Sequence, residues 1–470
     1  MAVARVWMHE LSWREPDAVF AAWGNAPWCA FLDSGGPVED RSRWQIFCRA
    51  PRHYLVVRDG QIFDDAAFPV PFTPEALFSR LRQFIPSDVA ERDALKDKQL
   101  PFYGGLIGFV GYGLGQHLEQ VLPRCSAQNE PDFAVGFYDH AFIWDRLSKR
   151  AFVTGLVLDK QNDTAGGTLH TEHEAAWNTL PECVPEQPDL PKLRFIPDQS
   201  RASYCRAIER AKAYIAAGDI FQVNITGRYS ADLPKEFSNV ALYLSLRRHA
   251  PAPFGAYLSC GEGYALHSTS PERFLLCDAQ GVVTSRPIKG TAPRGQTPKE
   301  DEAFAARLKT DEKERAENLM IVDLMRHDIG RVARIGSMSV SEFLNVERFA
   351  HVHHLVSEVR GELEAGRDVF DLLQATLPPG SVTGAPKHRA MEIIEELEAS
   401  PRGAYCGSVF CIGVDGSMES SVIIRTIIRK NSSLTLAAGG GITILSDAEK
   451  EYEEMRLKLA PFFSLFGGVA

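Results

Sequence analysis

The sequence predicts an α+β fold built on antiparallel β-sheets, and three observations support this class. Short runs that alternate or stay apolar between turn residues, as strands do, fill most of the first half of the chain. In the second half, hairpin-like strand runs are mixed with long helical patterns. No internal repeat occurs at the periods typical of solenoids or propellers. This mixture is typical of antiparallel sheets accompanied by separate helices.

The first half of the chain is predicted to be mostly sheet. Strands are expected at residues 28–33, 53–58, 133–144 and 150–158. A helix is expected near 74–84, whereas the six glycines of the uncharged stretch 100–116 indicate tight turns and strands rather than a membrane-spanning helix. Glycine, polar residues and proline replace the apolar pattern over 160–192, which indicates a surface connection. We therefore divide the chain into a sheet-rich N-terminal region, 1–195, and a second region, 196–470.

The second region opens with a helix whose two ends are marked in the sequence. Ser200 is a plausible N-cap and Gly218 a stop, so a helix is predicted over 198–217, and a strand over 220–229 follows directly. Further helices are predicted at 299–306, 310–323, 369–376, 387–398 and 447–458. Further strands are predicted at 255–258, 274–277, 338–346, 353–363, 407–413, 418–428 and 434–438.

Composition excludes several classes of function. The chain has 470 residues, 45% of them hydrophobic, and a net charge of −10, so no global positive field attracts nucleic acid or an anionic membrane surface. Its nine cysteines are an odd number without a Cys-x-x-Cys pair, which favours reduced thiols over a disulfide framework. Charged residues from Glu10 onward interrupt the N-terminus before any signal-peptide run. We expect a cytoplasmic, soluble protein.

Two helical segments carry glutamates three residues apart. Glu314 and Glu317 lie in one predicted helix, and Glu451 and Glu454 lie in another. Residues three apart share a helix face, so up to four carboxylates converge if the helices meet. Such a set of oxygen ligands suits Mg²⁺. From spacing alone, the alternative of two solvated acidic helix faces is favoured.

A lysine between proline and glycine is the candidate nucleophile. Lys289 follows Pro287-Ile288 and precedes Gly290, on a turn from which its amine could project. Only the neutral amine is nucleophilic, so the site has to lower the pKa of Lys289. The alternative, an exposed surface lysine, is favoured when this segment is taken alone.

Other segments allow both functional and structural interpretations. Gly439–Gly441 follow a strand run and precede the helix with Glu451, so their N–H groups could approach an anion or only form a turn. The segment 380–387 is not a phosphate-binding loop of the Walker type. Arg425 lies in an apolar strand-like run, where a buried guanidinium needs an anionic partner from the substrate or the protein. The histidines at 351, 353 and 354 lack zinc-ligand spacing, which favours one buried functional or structural histidine.

Taken together, these segments resemble the chorismate-utilising enzymes, and most closely the branch that forms aminodeoxychorismate. The resemblance covers nearly all of 200–461 and, more weakly, the N-terminal half. It rests on ordered motifs: IFQVN at 220–224, SPERF at 270–274, PIKGT at 287–291, NLMIVDLMRHDIGR at 318–331, HHLVS at 353–357, GSVTGAPK at 380–387, YCGS at 405–408, IRT at 424–426 and GGGI at 439–442. It implies one composite α/β body in which two antiparallel sheets sandwich helices.

The resemblance also implies roles for individual residues. Glu317 and Glu454 would be direct Mg²⁺ ligands, with Glu314 and Glu451 in supporting or water-mediated positions. Lys289 would be the nucleophile, Glu272 the general acid/base, and His354 a histidine near the C4 hydroxyl of chorismate. The residues implied to bind the substrate are Thr383, Gly384, Ala385, Tyr405, Arg425, Gly439, Gly440, Gly441 and Lys458.

The expected reaction converts chorismate and ammonia to 4-amino-4-deoxychorismate, the precursor of 4-aminobenzoate and folate, through a covalent bond to Lys289. Gln222 falls where hydrating relatives place a lysine, and an amide cannot deprotonate water. Because no glutaminase signature is visible, ammonia would come from a separate glutamine amidotransferase subunit. The alternatives are anthranilate synthase component I and a non-catalytic subunit that binds chorismate or tryptophan. Residues 32–34 and 253–254 fall where relatives hold a tryptophan.

Overall fold

A computed structural model describes residues 4–65, 68–86, 100–124, 129–158, 165–184, 186–348 and 352–468. Over these ranges the chain forms two antiparallel sheets of twelve strands each and eleven α-helices. The predicted α+β class with two large antiparallel sheets is therefore confirmed. Cys125, His351 and residues 160–164 and 185 of the predicted connection lie outside the described ranges.

The strands are β1 Arg5–Leu11, β2 Ala30–Asp33, β3 Trp44–Cys48, β4 His53–Arg58, β5 Gln61–Asp64, β6 Val70–Pro71, β7 Gly105–Val110, β8 Pro131–Tyr138, β9 His140–Asp145, β10 Arg150–Val157, β11 Ile196–Pro197, β12 Gln222–Asp232, β13 Phe254–Ser259, β14 Tyr264–Ser270, β15 Arg273–Cys277, β16 Val282–Ser285, β17 Ile288–Pro293, β18 Ser339–Arg348, β19 Val352–Glu362, β20 Gly384–Ala385, β21 Ser408–Gly413, β22 Met418–Val422, β23 Thr426–Lys430 and β24 Ser433–Ile442. The helices are α1 Pro16–Trp23, α2 Pro74–Phe84, α3 Tyr112–Leu118, α4 Ala165–Asn178, α5 Arg201–Ala217, α6 Asn239–His249, α7 Pro298–Thr310, α8 Glu312–Gly330, α9 Val369–Thr376, α10 Lys387–Leu397 and α11 Ala448–Leu465. Short 3₁₀ turns occupy Asp40–Ser42 and Gly380–Val382.

Each sheet takes strands from both regions of the sequence. In the first sheet the order is β1-β10-β9-β3-β2-β13-β14-β23-β24-β12-β11, with β20 added beside β12. In the second sheet the order is β17-β19-β16-β15-β22-β21-β7-β8-β4-β5-β6, with β18 added beside β19. The two regions join at β2–β13, where Asp33 pairs with Gly255, and at β7–β21, where Gly105 pairs with Gly413. Neither region therefore holds a complete sheet.

Local signals fixed many of the elements. The Ser200 side chain accepts a hydrogen bond from the N–H of Ser203 at the start of α5, and Gly218 ends that helix with φ 85°. This left-handed backbone suits glycine because glycine has no Cβ. Helix α6 was not predicted, because Val240–Leu244 are all buried and leave no amphipathic period to detect. Helix α4 also interrupts the predicted surface connection, with Trp177 buried against Phe142.

The apolar run 418–428 differs from the prediction of one strand. It forms β22 in the second sheet and β23 in the first, and Arg425 lies between them with φ 50°. Both the N–H and the hydroxyl of Thr269 donate to the Arg425 carbonyl, at 3.1 and 3.0 Å. The prediction that Arg425 is buried inside a strand was wrong: the residue is exposed at the crossing between the sheets.

The glycines at 439–441 also lie elsewhere than predicted. They belong to β24 itself, where they pair with Thr226, Ile225 and Asn224 of β12. On the opposite side, β23 pairs only with Ser433, Leu434 and Thr435. The glycine segment is therefore the end of a strand and not a loop before α11.

Among the described residues, no helix combines the length and the apolar character needed to cross a bilayer. The eight described cysteines are free thiols.

One buried ion pair, between Lys387 and Asp328, connects helices α10 and α8. Lys387 Nζ donates to Asp328 Oδ2 at 2.5 Å and to the Thr376 carbonyl at 2.9 Å, and both charged side chains are almost fully buried. The pair thereby attaches the C-terminal end of the segment 380–387 to α8.

Lys387→Met is expected to lower the free energy of unfolding by about 3–5 kcal/mol, because Asp328 would remain as a buried charge without a partner. Lys212→Met is the matched control. It removes a lysine paired with the exposed Glu209 and should cost at most about 1 kcal/mol. Urea unfolding followed by circular dichroism measures both changes. Equal losses would contradict the structural importance of the buried pair.

Candidate active site

Lys289 projects from β17 toward the segment 380–387. Its side chain is half-buried, and Nζ donates to the Ser381 carbonyl at 3.3 Å. The next residue, Gly290, has φ 90°, and a Cβ there would lie 3.0 Å from Glu314 Oε2. Glycine thus satisfies both the backbone angle and the close approach of α8. The interpretation of Lys289 as an exposed surface lysine does not describe this position.

Glu272 shares Ser381 with Lys289. Burial raises the pKa of Glu272, while a hydrogen bond from the Ser381 side chain and the charges of Lys289 and Arg425 oppose that rise. Ser381 therefore contacts both groups, through its carbonyl and through its hydroxyl. Sequence reasoning singled out the segment 380–387 but not this residue, because a serine in a turn carries no pattern of its own.

The two neighbouring histidines have different environments. His354 lies opposite Thr291 in the β17–β19 pairing, and its ring is hydrogen-bonded to the backbone of Gly290. Burial is the main cause that lowers the pKa of His354, so the neutral imidazole is favoured. His353 is fully buried, and its Nε2 lies 2.9 Å from Asp301 Oδ1. His354 therefore belongs to the site next to Lys289, whereas His353 joins α7 to β19.

Helices α8 and α11 bring their glutamates to the glycine segment of β24. A Cβ at Gly441 would lie 3.7 Å from Glu317 Oε2, and a Cβ at Gly440 would lie 3.0 Å from Glu451 Oε2. Glu317 is only 8% exposed and Glu451 only 6%. The Ser446 hydroxyl donates to Glu451 Oε1 at 2.7 Å. The two buried carboxylates therefore approach the same strand from different helices.

Glu314 and Glu454 complete the set of four glutamates. Burial raises the pKa of Glu314, as it does the pKa of Glu317. Burial acts the same way on Glu454, but the charges of Lys458, Lys313 and Lys289 outweigh it and lower the pKa of Glu454 overall. Lys289 interacts electrostatically with Glu272, Glu314, Glu317 and Glu454. The candidate nucleophile and the carboxylates thus share one site.

Two lysines are paired with these carboxylates. Lys313 Nζ lies 3.8 Å from Glu317 Oε1 and 3.7 Å from Glu451 Oε1. Although burial alone would lower the pKa of Lys313, the charges of the glutamates raise it. Lys458 Nζ lies 2.8 Å from Glu454 Oε1 and donates to the Gly439 carbonyl at 2.8 Å. Sequence reasoning did not single out Lys313, although it stands one helical turn before Glu317.

The donor set of four glutamates fits Mg²⁺ in chemical type. Glutamate oxygens are the ligands that this cation prefers. Within the described ranges, however, no group of three or more Asp, Glu, His or Cys side chains is arranged to hold a metal ion. The carboxylates are instead oriented toward ammonium groups.

The remaining predicted substrate residues mainly shape the backbone around the site. The Thr383 hydroxyl donates to the carbonyls of Pro379 and Gly380, at 3.3 and 3.2 Å. Gly384 and Ala385 form β20, which pairs with the start of β12. Tyr405 is buried. Gln222, next to β20, is also buried, and its Nε2 occupies the space that a Cβ at Gly441 would need, at 2.2 Å.

A pocket apart from the candidate active site, called here the second cavity, is lined by none of these residues. It encloses about 380 Å³ and is lined by 32–34 and 253–254, the residues that fall where relatives hold a tryptophan. Trp44 and Phe410 contribute aromatic walls. The Asp33 carboxylate on its wall is already hydrogen-bonded by Gln45, Tyr243 and Arg247.

Comparison with known proteins identifies relatives along most of the chain. Residues 41–464 match the family described as chorismate binding enzyme. Aminodeoxychorismate synthase component 1 from Escherichia coli (strain K12) is 38% identical over 450 residues, which cover 94% of this chain and 95% of that relative. Anthranilate synthase component 1 from Thermus thermophilus is 41% identical over 356 residues, which cover 75% of each protein.

Solved structures agree with the family match. The crystal structure of anthranilate synthase component I from Streptococcus pneumoniae TIGR4 has a TM-score of 0.79 at 30% identity and covers 92% of this chain and 94% of its own. The menaquinone-specific isochorismate synthase from Escherichia coli has a TM-score of 0.71 at 17% identity, a likeness of fold alone. The chain therefore belongs to the chorismate binding enzyme family and is an enzyme that acts on chorismate.

Proposed function

We propose that this enzyme converts chorismate and ammonia to 4-amino-4-deoxychorismate, a step toward 4-aminobenzoate and folate. The observation that carries the proposal is the position of Lys289, whose amine is held by the carbonyl of Ser381 while the hydroxyl of that serine contacts Glu272. A nucleophile and a general acid thus meet at one residue. The 38% identity to aminodeoxychorismate synthase component 1 from Escherichia coli supports the same reaction.

The first half-reaction makes a bond to Lys289. Nζ attacks C2 of chorismate as the free amine, the ring double bonds shift, and the C4–O bond breaks. The proton that Nζ loses replaces the one that Glu272 gives to the departing hydroxyl. Glu272 donates the proton with which the C4 hydroxyl leaves as water. Because burial raises the pKa of Glu272, its carboxyl keeps a proton to a higher pH than an exposed glutamate does. Neutral His354, hydrogen-bonded to Gly290, would orient the same hydroxyl.

The second half-reaction releases the lysine. Ammonia bonds to C4 and loses a proton, the double bonds return, and the C2–N bond breaks as the amine of Lys289 regains a proton. The balance is chorismate plus ammonia giving aminodeoxychorismate plus water. The component 1 names of the relatives support a separate glutamine amidotransferase subunit as the source of ammonia.

Charged groups around the site would hold the two carboxylates of chorismate. Arg425 offers a planar two-pronged donor, and Lys458 beside Gly439 offers an ammonium. The proposed cofactor is Mg²⁺, held by Glu317 and Glu454 with Glu314 and Glu451 in support. When bound, it would supply Lewis-acid polarisation of the departing hydroxyl and neutralise a substrate carboxylate.

Anthranilate formation is the second candidate. It is favoured by the 41% identity to anthranilate synthase component 1 from Thermus thermophilus and by the crystal structure at TM-score 0.79. That reaction also starts from chorismate but eliminates pyruvate. The lysine at position 289 argues for the first candidate, because the resemblance implies alanine there in the anthranilate-forming branch.

We also propose that the second cavity binds tryptophan. Its volume of about 380 Å³ accommodates an indole, and its walls include both aromatic residues and polar residues such as Ser34 and Arg41. This site is separate from Lys289, so tryptophan would act as a structural or regulatory ligand.

With chorismate, Mg²⁺ and ammonium, the wild-type enzyme is expected to yield aminodeoxychorismate, identified by mass spectrometry. Lys289→Ala is expected to reduce the rate by at least about 100-fold, because the covalent route is lost. Lys212→Met serves as the control with normal activity. Fluorescent anthranilate formed without a separate lyase would favour the second candidate, and an unchanged rate for Lys289→Ala would remove the nucleophile from the mechanism.

Ser381→Ala is expected to raise the pKa of Glu272 further, because the lost hydrogen bond stabilises the ionised form. Carbon-13 NMR titration of labelled glutamate carboxyls, with the Glu272 signal assigned from Glu272→Gln, measures the shift. Ser446→Ala removes a comparable bond from Glu451 and should leave Glu272 unchanged. A pKa of Glu272 that stays constant or falls in Ser381→Ala would contradict this role of Ser381.

Isothermal titration with tryptophan is expected to give saturable heat in the wild-type protein. Ser34→Trp should abolish the heat, because the new side chain fills the cavity. Titration of the wild-type protein with the free amino acid alanine, which has no indole ring, should give no heat. If the wild-type protein gives no heat with tryptophan, the proposal that the second cavity binds tryptophan is wrong.

A further inference from the structure

Lys313 stands between the two buried carboxylates of the site. Its Nζ is 3.8 Å from Glu317 on the same helix and 3.7 Å from Glu451 on α11. The side chains of Glu317 and Glu451 are 10% and 7% exposed, whereas that of Lys313 is 37% exposed. One ammonium, open to solvent on one side, thus contacts both carboxylates.

Lys313 reduces the electrostatic cost of burying these two carboxylates. Two ionised carboxylates that lie near the same point repel each other, and each loses hydration on burial. A cation between them offsets both costs. Lys313 supplies that cation from within the chain, one helical turn before Glu317, where lysine and glutamate side chains at positions i and i+4 meet. Lys313 therefore places a positive charge where glutamates of α8 and α11 come together.

The same contacts oppose a divalent cation. A metal ion bound by Oε1 of Glu317 would lie close to the ammonium of Lys313, and two cations at one pair of carboxylates repel each other. The partly exposed side chain of Lys313 is flexible and can turn its ammonium toward water while its helix stays in place.

We propose that Lys313 is the built-in counter-cation of this site, an ammonium that a divalent cation must displace toward solvent in order to bind. Lys313 therefore sets the metal affinity of the enzyme while remaining outside the chemistry. This inference rests on the magnesium site of the proposed function.

The test is a calorimetric titration of the full chain with Mn²⁺ alone, without chorismate. Lys313→Met is expected to bind Mn²⁺ at least about tenfold more tightly than wild type, because the competing charge is removed. Lys450→Met is the matched control: it removes the same charge next to Glu451 from an exposed position and should bind like wild type. Thermal unfolding should show that Mn²⁺ raises the Tm of Lys313→Met more than that of wild type.

The outcomes separate this inference from the proposed function. Equal or weaker Mn²⁺ binding by Lys313→Met than by wild type would overturn the counter-cation role and leave the metal site standing. Mn²⁺ binding by none of the proteins would overturn both. The Mn²⁺ titrations contain no chorismate, so their results do not depend on whether the enzyme forms aminodeoxychorismate.

A second measurement uses only the wild-type protein, so it does not depend on the folding of a variant. Amine acetylation followed by peptide mass mapping compares Lys313 with Lys450 in the same sample. Saturating Mn²⁺ is expected to increase acetylation of Lys313 several-fold and to leave Lys450 unchanged, because the displaced ammonium becomes accessible. Unchanged or reduced acetylation of Lys313 would overturn the displacement.

Discussion

The meeting of glutamates from α8 and α11 at the glycine segment of β24 is the constraint on which the site depends. A Cβ at Gly440 would lie 3.0 Å from Glu451 Oε2, and a Cβ at Gly441 would lie 2.2 Å from Gln222 Nε2, so the missing side chains leave room for Glu451 and Gln222. This meeting buries Glu317 and Glu451 together, and buried carboxylates need cations. Lys313 meets this requirement, because its ammonium lies near both Glu317 and Glu451.

The segment 380–387, which contacts α8, is held at several points. Toward the site, Ser381 contacts Lys289 and Glu272. From behind, Lys387 is fixed by Asp328, and Arg402 donates to the Val382 carbonyl at 2.7 Å. Buried charge thereby adds to the apolar contacts that Val382 makes with the core. Such support is what a site needs if a nucleophile and an acid are to keep a fixed geometry.

Sequence patterns predicted the elements whose signals are local. Helix α5 begins and ends where its capping residues predicted, because caps act through the nearest backbone groups. Patterns failed in α6, where Val240–Leu244 are all buried and no helical period is left to detect, and in the apolar run 418–428, whose strands belong to two different sheets. In the second case the break at Arg425 depends on which strands pair, and that pairing is not encoded in a local period. The fold class survived these errors because it depends on many elements at once.

The sequence by itself determined the residue types of the site and their order in ordered motifs, which is why the family and the candidate residues could be named before the fold was known. Only the tertiary structure decided that Ser381 joins Lys289 to Glu272, and that Lys313 lies between glutamates of two helices. The physical reason is that charge pairing and desolvation depend on distances between segments remote in sequence, and no local period or cap encodes those distances.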